Sequence, residues 1–176
     1  VFVTGEAKRP GGYIISGLST AFNALYVAGG PNQRGSMRNI QLIRANKVVA
    51  TIDLYAYLLK GEKSSDVQLQ PEDTLFIPVA KNRIAVKGEV NRQAIYELNE
   101  KEMFLDTAMD IAGGLKPTGY SYRIQIERIK QNKEKVILDV NFSTEKKTPL
   151  LDGDKVSVLP VMDLQKNTVW IEGEVE

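Results

Sequence analysis

The sequence predicts an α+β protein built from tandem copies of one small domain, each a mixed sheet packed on a helix. Three observations carry this. The opening stretch Val1-Phe-Val-Thr-Gly-Glu-Ala-Lys-Arg-Pro-Gly-Gly-Tyr13 returns as Ile84-Ala-Val-Lys-Gly-Glu-Val-Asn-Arg-Gln-Ala-Ile-Tyr96. It starts again at Val169-Trp-Ile-Glu-Gly-Glu-Val175, so Gly5, Gly88 and Gly173 are separated by 83 and 85 positions. Further anchors keep step: Gly29-Gly30 answers to Gly113-Gly114, Asp53 to Asp139, Asp73 to Asp154, and Pro78 to Pro160. A period of this size is too long for a solenoid turn and suits a domain that folds by itself. The expected division is residues 1–80, residues 84–162, and the opening strand of a third copy over 168–176.

Each period reads in the same order. Phe2 to Glu6 alternates as a strand, Arg9-Pro-Gly-Gly12 is a turn, and Tyr13-Ile-Ile15 returns as the second arm of a hairpin. From Ser19, read as an N-cap, the spacing becomes helical. Ala21, Phe22, Leu25 and Ala28 form one stripe, and Gly29-Gly30 stops it. In the second copy Leu105, Ala108, Met109 and Ala112 repeat the stripe ahead of Gly113-Gly114. A hairpin follows, Arg38 to Ala45 and Val48 to Ile52 about the turn Asn46-Lys47, then a short helix from Asp53 to Gly61. Pro71-Glu-Asp73 turns into the strand Thr74 to Ile77. The second copy has Arg123 to Ile129, a longer tip, Val136 to Val140, and Lys155 to Leu159. It shortens before Asp154, so its short helix is expected to be truncated or lost. A helix crossing after a first hairpin onto one face of a mixed sheet is the β-grasp arrangement. The linker Val79 to Arg83 is short and polar, which predicts two domains in close contact. Each closing strand is expected to pair antiparallel with the next opening strand: Leu75 to Ile77 with Ile84 to Val86, and Val156 to Val158 with Val169 to Ile171.

Composition narrows the function. Of 176 residues 43% are hydrophobic and 26% charged, and 23 Lys and Arg balance 22 Asp and Glu, leaving a net charge of +1. A nucleic-acid binder shows a clustered basic excess, so no nucleic-acid partner is expected. No apolar run approaches the roughly 18 residues that cross a bilayer. With no cysteine and no histidine, disulfides, thiolate metal sites, the Ser-His triad and most zinc chemistry are excluded. Neither enzyme activity, nor a cofactor, nor a metal is expected. The sequence opens within a strand, which predicts a segment of a longer protein.

The ordered motifs resemble the soluble-ligand-binding β-grasp (SLBB) domain. The first copy carries Gly5-Glu6, Arg9-Pro10-Gly11 with Tyr13, Ala28-Gly29-Gly30, Leu42-Ile43-Arg44, and Pro71-Glu72-Asp73 with Ile77-Pro78. The second keeps Gly88-Glu89-Val90, Arg92, Tyr96 and Ala112-Gly113-Gly114, with Gln93-Ala94 in place of the Pro-Gly turn. Tandem copies look most like the periplasmic part of bacterial polysaccharide export outer-membrane proteins. That resemblance implies a periplasmic location in a protein attached to the outer membrane, and self-association of the full-length protein. It also implies an inner-membrane export machinery as partner and a capsule or exopolysaccharide as cargo. The chain is then a non-catalytic part of an export channel, and the alternative is a small-ligand or saccharide-binding module.

Each candidate site residue also has a plainer structural role. The Gly-Gly pairs follow helices, whereas phosphate loops precede them, so they are caps. Gly61-Glu-Lys-Ser64 lacks the upstream glycine of a P-loop. The acidic pairs Glu72-Asp73 and Asp152 with Asp154 occupy one turn position of the repeat, where turn chemistry favours Asp. Arg44 and Arg128 are expected as solvated or paired strand residues, and Tyr13 and Tyr96 as core. Tyr120 and Tyr122, read as loop residues beside Arg123, are the candidates for saccharide contact, with a protein contact as the plainer alternative.

Overall fold

A computed structural model describes residues 1–99 and 103–162. The first copy runs β1 (Phe2–Gly5), β2 (Gly11–Gly12), α1 (Ala21–Val27), β3 (Ile40–Arg44), β4 (Lys47–Ile52), α2 (Leu54–Lys60) and β5 (Thr74–Ile77). The second runs β6 (Arg83–Gly88), β7 (Ala94–Glu97), α3 (Leu105–Ile111), β8 (Gly119–Lys130), β9 (Glu134–Val140) and β10 (Lys155–Pro160). Two five-stranded sheets result, ordered β2-β1-β5-β3-β4 and β7-β6-β10-β8-β9. Among the described residues β1 with β5 and β6 with β10 are parallel, and the remaining strand pairs are antiparallel. This is the tandem α+β β-grasp architecture that the periodicity predicts.

The sheets bury one face each because their strands alternate. Val3, Leu42, Leu75 and Ile77 meet Ala21, Ala24, Leu25 and Ala28 of the first helix region. Val86, Ile124, Ile126 and Val156 meet Leu105, Ala108, Met109 and Ala112 in the second. Ala24 is fully buried while Phe22 is only partly so, because Phe22 leans onto Tyr57 with ring centroids 4.8 Å apart. The N-cap of α1 is Thr20, one residue beyond the expected Ser19. Thr20 N donates to Asn23 Oδ1, and Asp66 Oδ1 receives Phe22 N at 3.0 Å, so two otherwise orphaned amides are satisfied.

The short helix α2 forms as expected. Asp53 accepts from Tyr55 N, and Gly61 closes the helix at φ 73°. In the second copy turns replace it, with Glu145 N donating to Asn141 O and Thr148 N to Glu145 O. The register corrects one anchor. Ile40 pairs with Ile52 and Ile124 with Val140, so the counterpart of Asp53 is Asn141, not Asp139. Asn141 Oδ1 indeed receives Ser143 N as Asp53 Oδ1 receives Tyr55 N. The repeat preserves the cap position here rather than the aspartate.

Two further expectations are corrected. The returning arm of the first hairpin is Gly11–Gly12 rather than Tyr13 to Ile15; Tyr13 N still reaches Val1 O, but Ile14 turns fully into solvent. Nor does the closing strand pair with the next opening strand. β5 lies between β1 and β3, so both its edges are occupied, and β6 pairs with β7 and β10 instead. β10 is likewise enclosed by β6 and β8; Val169 to Ile171 lie outside the described residues. A closing strand that runs parallel beside its own opening strand has no edge left to offer.

Candidate functional site

Several side chains singled out in the sequence hold the fold together twice over. Arg44 Nε and Nη2 grip both oxygens of Asp73 at 2.8 and 2.7 Å, and Arg128 grips Asp154 at 2.9 and 2.6 Å. Both aspartates are buried. Asp73 also receives Gln70 N and Asp154 receives Leu151 N, each at 2.8 Å, which closes the turn before the last strand. The Arg44 hydrogen bonds, against an opposing cost of burial, keep the Asp73 carboxyl below the usual carboxylate range. A carboxylate engaged on both oxygens by a guanidinium and an amide is not poised to move a proton in a reaction.

Gly5 and Gly88 are required by close approach. At φ 78° and 89°, a Cβ on either would lie 2.2 Å from Ile77 O or 2.0 Å from Val158 O. Arg9 and Arg92 reach carbonyls at the ends of the helices, Val27 O at 2.5 Å and Ile111 O at 3.0 Å. Tyr13 and Tyr96 each donate a hydroxyl to the carbonyl of that arginine, at 2.5 and 2.6 Å. Tyr96 is core; Tyr13 is half-buried.

The site that sequence reasoning missed is the junction between the copies. Glu97, at the end of β7, presents its carboxylate to the loop ahead of β3. Ser36 Oγ and Met37 N each donate to it at 2.7 Å. Its backbone is used as well: Glu97 O accepts from Arg38 Nε at 2.6 Å, and Glu97 N donates to the Tyr55 hydroxyl at 2.9 Å. The Arg38 guanidinium lies 4.2 Å from the centre of the Tyr55 ring and 3.1 Å from Asp53. Tyr55 belongs to the core of the second copy, with Met37 and Leu59 packed against that core, and burial pushes its phenol pKa up. Arg83 adds a bond to Gln33 O at 3.1 Å. Two clefts flank this junction, of about 520 Å³ beside Arg38, Asp53 and Lys81 and about 600 Å³ beside Arg34, Arg83 and Ile95. Among the described residues no group of three or more acidic side chains converges as a metal site. One signal could have found the junction. Glu97 sits where the repeat has Ile14, a charged residue in place of an apolar one directly after the shared tyrosine.

Tyr120, Tyr122 and Arg123 lie on β8, not in a loop. Tyr120 and Tyr122 share the face of Ile124 and Ile126 but extend past the core; their ring centroids are 5.9 Å apart and they are 40% and 63% exposed. Strand alternation turns Arg123 to the opposite face, where it pairs with Asp139 at 3.0 Å. The structure therefore brings the two rings together and sets the arginine apart from them.

Paired β-grasp copies with a fixed Gly-Glu strand and a Gly-Gly helix stop define a class, and comparison with known families agrees. SLBB-domain families match residues 1–77 and again residues 83–139, so the chain belongs to the SLBB-domain family. Among curated proteins, two matches carry the name polysialic acid transport protein KpsD, from Escherichia coli. Each is 30% identical over 113 residues, covering 64% of this chain. The chain spans 20% of the length of those relatives.

Proposed function

We propose that these two domains are a non-catalytic, periplasmic part of an export channel for capsule or exopolysaccharide, in a protein attached to the outer membrane. The observation that carries this is the tandem SLBB pair, matched to proteins named for polysialic acid transport. The full-length protein self-associates in this proposal and meets an inner-membrane export machinery. The geometry supports a structural role. The paired acids Asp73 and Asp154 are locked to arginines, and the junction carboxylate of Glu97 is engaged by donors on both oxygens. The outer face of the first sheet carries Phe2, Phe76, Ile43 and Val48 among threonines, a surface without charge that suits burial in an assembly.

The test is made in a capsule-forming bacterium. Removing residues 1–162 from the parent protein should abolish polymer at the cell surface while polymer accumulates inside. Unchanged surface polymer contradicts the export role. Purified chain incubated with polysialic acid should leave its length distribution untouched; progressive shortening contradicts the non-catalytic one.

A further inference from the structure

The two copies are related closely enough that a surface used in one locates a surface in the other. Gly35 and Gly119 are equivalent: a Cβ on each would meet the carbonyl of the repeated glutamate, Glu6 O at 2.4 Å and Glu89 O at 2.9 Å. Two residues on, Met37 O receives Leu54 N at 2.7 Å and Ser121 O receives Phe142 N at 2.9 Å. Further on, Arg44 and Arg128 make the same aspartate pair. Between these fixed points Ser36, Met37 and Arg38 correspond to Tyr120, Ser121 and Tyr122.

In the first copy that stretch is where the second domain docks. Ser36 is buried at 1% exposure, the Arg38 side chain at 14%, and both hold Glu97. In the second copy the same positions are bare and aromatic. The chain also leaves each domain at the same edge. Ala80 N donates to Arg34 O at 2.7 Å, and Val161 N to Thr118 O at 2.8 Å, just ahead of each docking stretch. Beyond that exit the sequence reads Val169-Trp-Ile-Glu-Gly-Glu-Val175, the opening motif again. Pro78 is six positions ahead of Ile84, and Pro160 nine ahead of Val169. A tether this short spans at most roughly 30 Å, so a domain beginning there emerges within reach of Tyr120 and Tyr122.

We propose that Tyr120, Ser121 and Tyr122 form the docking surface for a third β-grasp domain, the one opened by Val169 to Val175. Where the first junction meets a carboxylate with a hydroxyl and a backbone amide, and the carbonyl of the same residue with a guanidinium, the second offers two phenol rings. It is thus an apolar contact with hydroxyl donors at its rim. This goes beyond the export role: it assigns the tyrosine pair to domain packing rather than to polymer, and it stands or falls independently of what is exported.

Tyrosine nitration by tetranitromethane, read by peptide mass spectrometry, tests it, with exposed Tyr26 and buried Tyr96 as references in the same molecule. In the 176-residue chain Tyr120 and Tyr122 should label readily, as Tyr26 does. In the parent protein carried on past Glu176 through the next domain, their labelling should fall to the level of Tyr96 while Tyr26 is unchanged. Equal labelling of the pair in both proteins overturns the proposal, as does a parent sequence in which no β-grasp domain follows. If oligosialic acid protects the pair in the 176-residue chain, the surface is a sugar platform and the proposal is also overturned.

Discussion

The two copies agree where the fold needs them to and differ where they meet something else. The Gly-Glu strand, the arginine on the helix end, the tyrosine hydroxyl on the arginine carbonyl and the buried Arg–Asp pair appear in both. The outer sheet faces do not match. The first is uncharged, with Phe2, Phe76 and Val48 exposed. The second is laced with ions: Glu127 holds Lys135 at 2.7 Å and Lys155 at 3.2 Å, and Arg123 holds Asp139. The docking stretch differs too, Ser36 to Arg38 against Tyr120 to Tyr122. Within one sequence, internal comparison separates what builds a β-grasp domain from what a given copy does with it.

If the buried pair is part of the common frame, breaking it should hurt either copy. Asp154→Ala leaves the mostly buried Arg128 without its partner and strips Leu151 N of its acceptor. A loss of about 3–5 kcal/mol is expected, read by urea unfolding. Asp73→Ala should cost less, since the Arg44 side chain is more exposed, 30% against 13%. Gly88→Ala and Gly5→Ala come next, each about 2–3 kcal/mol from a left-handed φ and a carbonyl inside contact distance. The two effects should be of similar size; a harmless Gly5→Ala contradicts a close approach shared by both copies.

A smaller effect runs the other way. Glu72 has φ 68° in the turn that the second copy builds with Gly153 at φ 86°. Glu72→Gly should therefore stabilise the first domain by about 1 kcal/mol, measured as a raised urea midpoint. Acid should separate the states by the depressed carboxyl of Asp73. Its folded pKa lies below the unfolded value of about 3.9, so its stabilisation is present above that value and is lost as pH falls through the folded pKa. Stability at pH 6 should exceed that at pH 2, and Asp73→Asn should flatten the slope. An unchanged slope in that variant argues against the pairing.

Much of the fold was legible because a repeat states each element twice. The helix stripes, the Gly-Gly stops, the Asp53 cap and the loss of the second short helix could all be read from spacing. Strand pairing could not, because the parallel contact of β1 with β5 joins residues about seventy positions apart and leaves no local pattern. Asp139 was mistaken for the counterpart of Asp53 since residue identity was matched without register. At the candidate sites the rings of Tyr120 and Tyr122 are legible in the sequence, but the strand that carries them, and with it the opposite facing of Arg123, is not. Glu97 went unseen because a glutamate at a hairpin end looks solvated until a neighbouring domain is set against it.

The junction around Glu97 holds the two copies of one domain in a fixed relation. Residual dipolar couplings of the 15N-labelled chain test it directly. Amides of residues 1–77 and 83–160 should fit one alignment tensor, and Glu97→Ala should separate them into two while each domain keeps its own fit. Two independent tensors in the unaltered chain would contradict it.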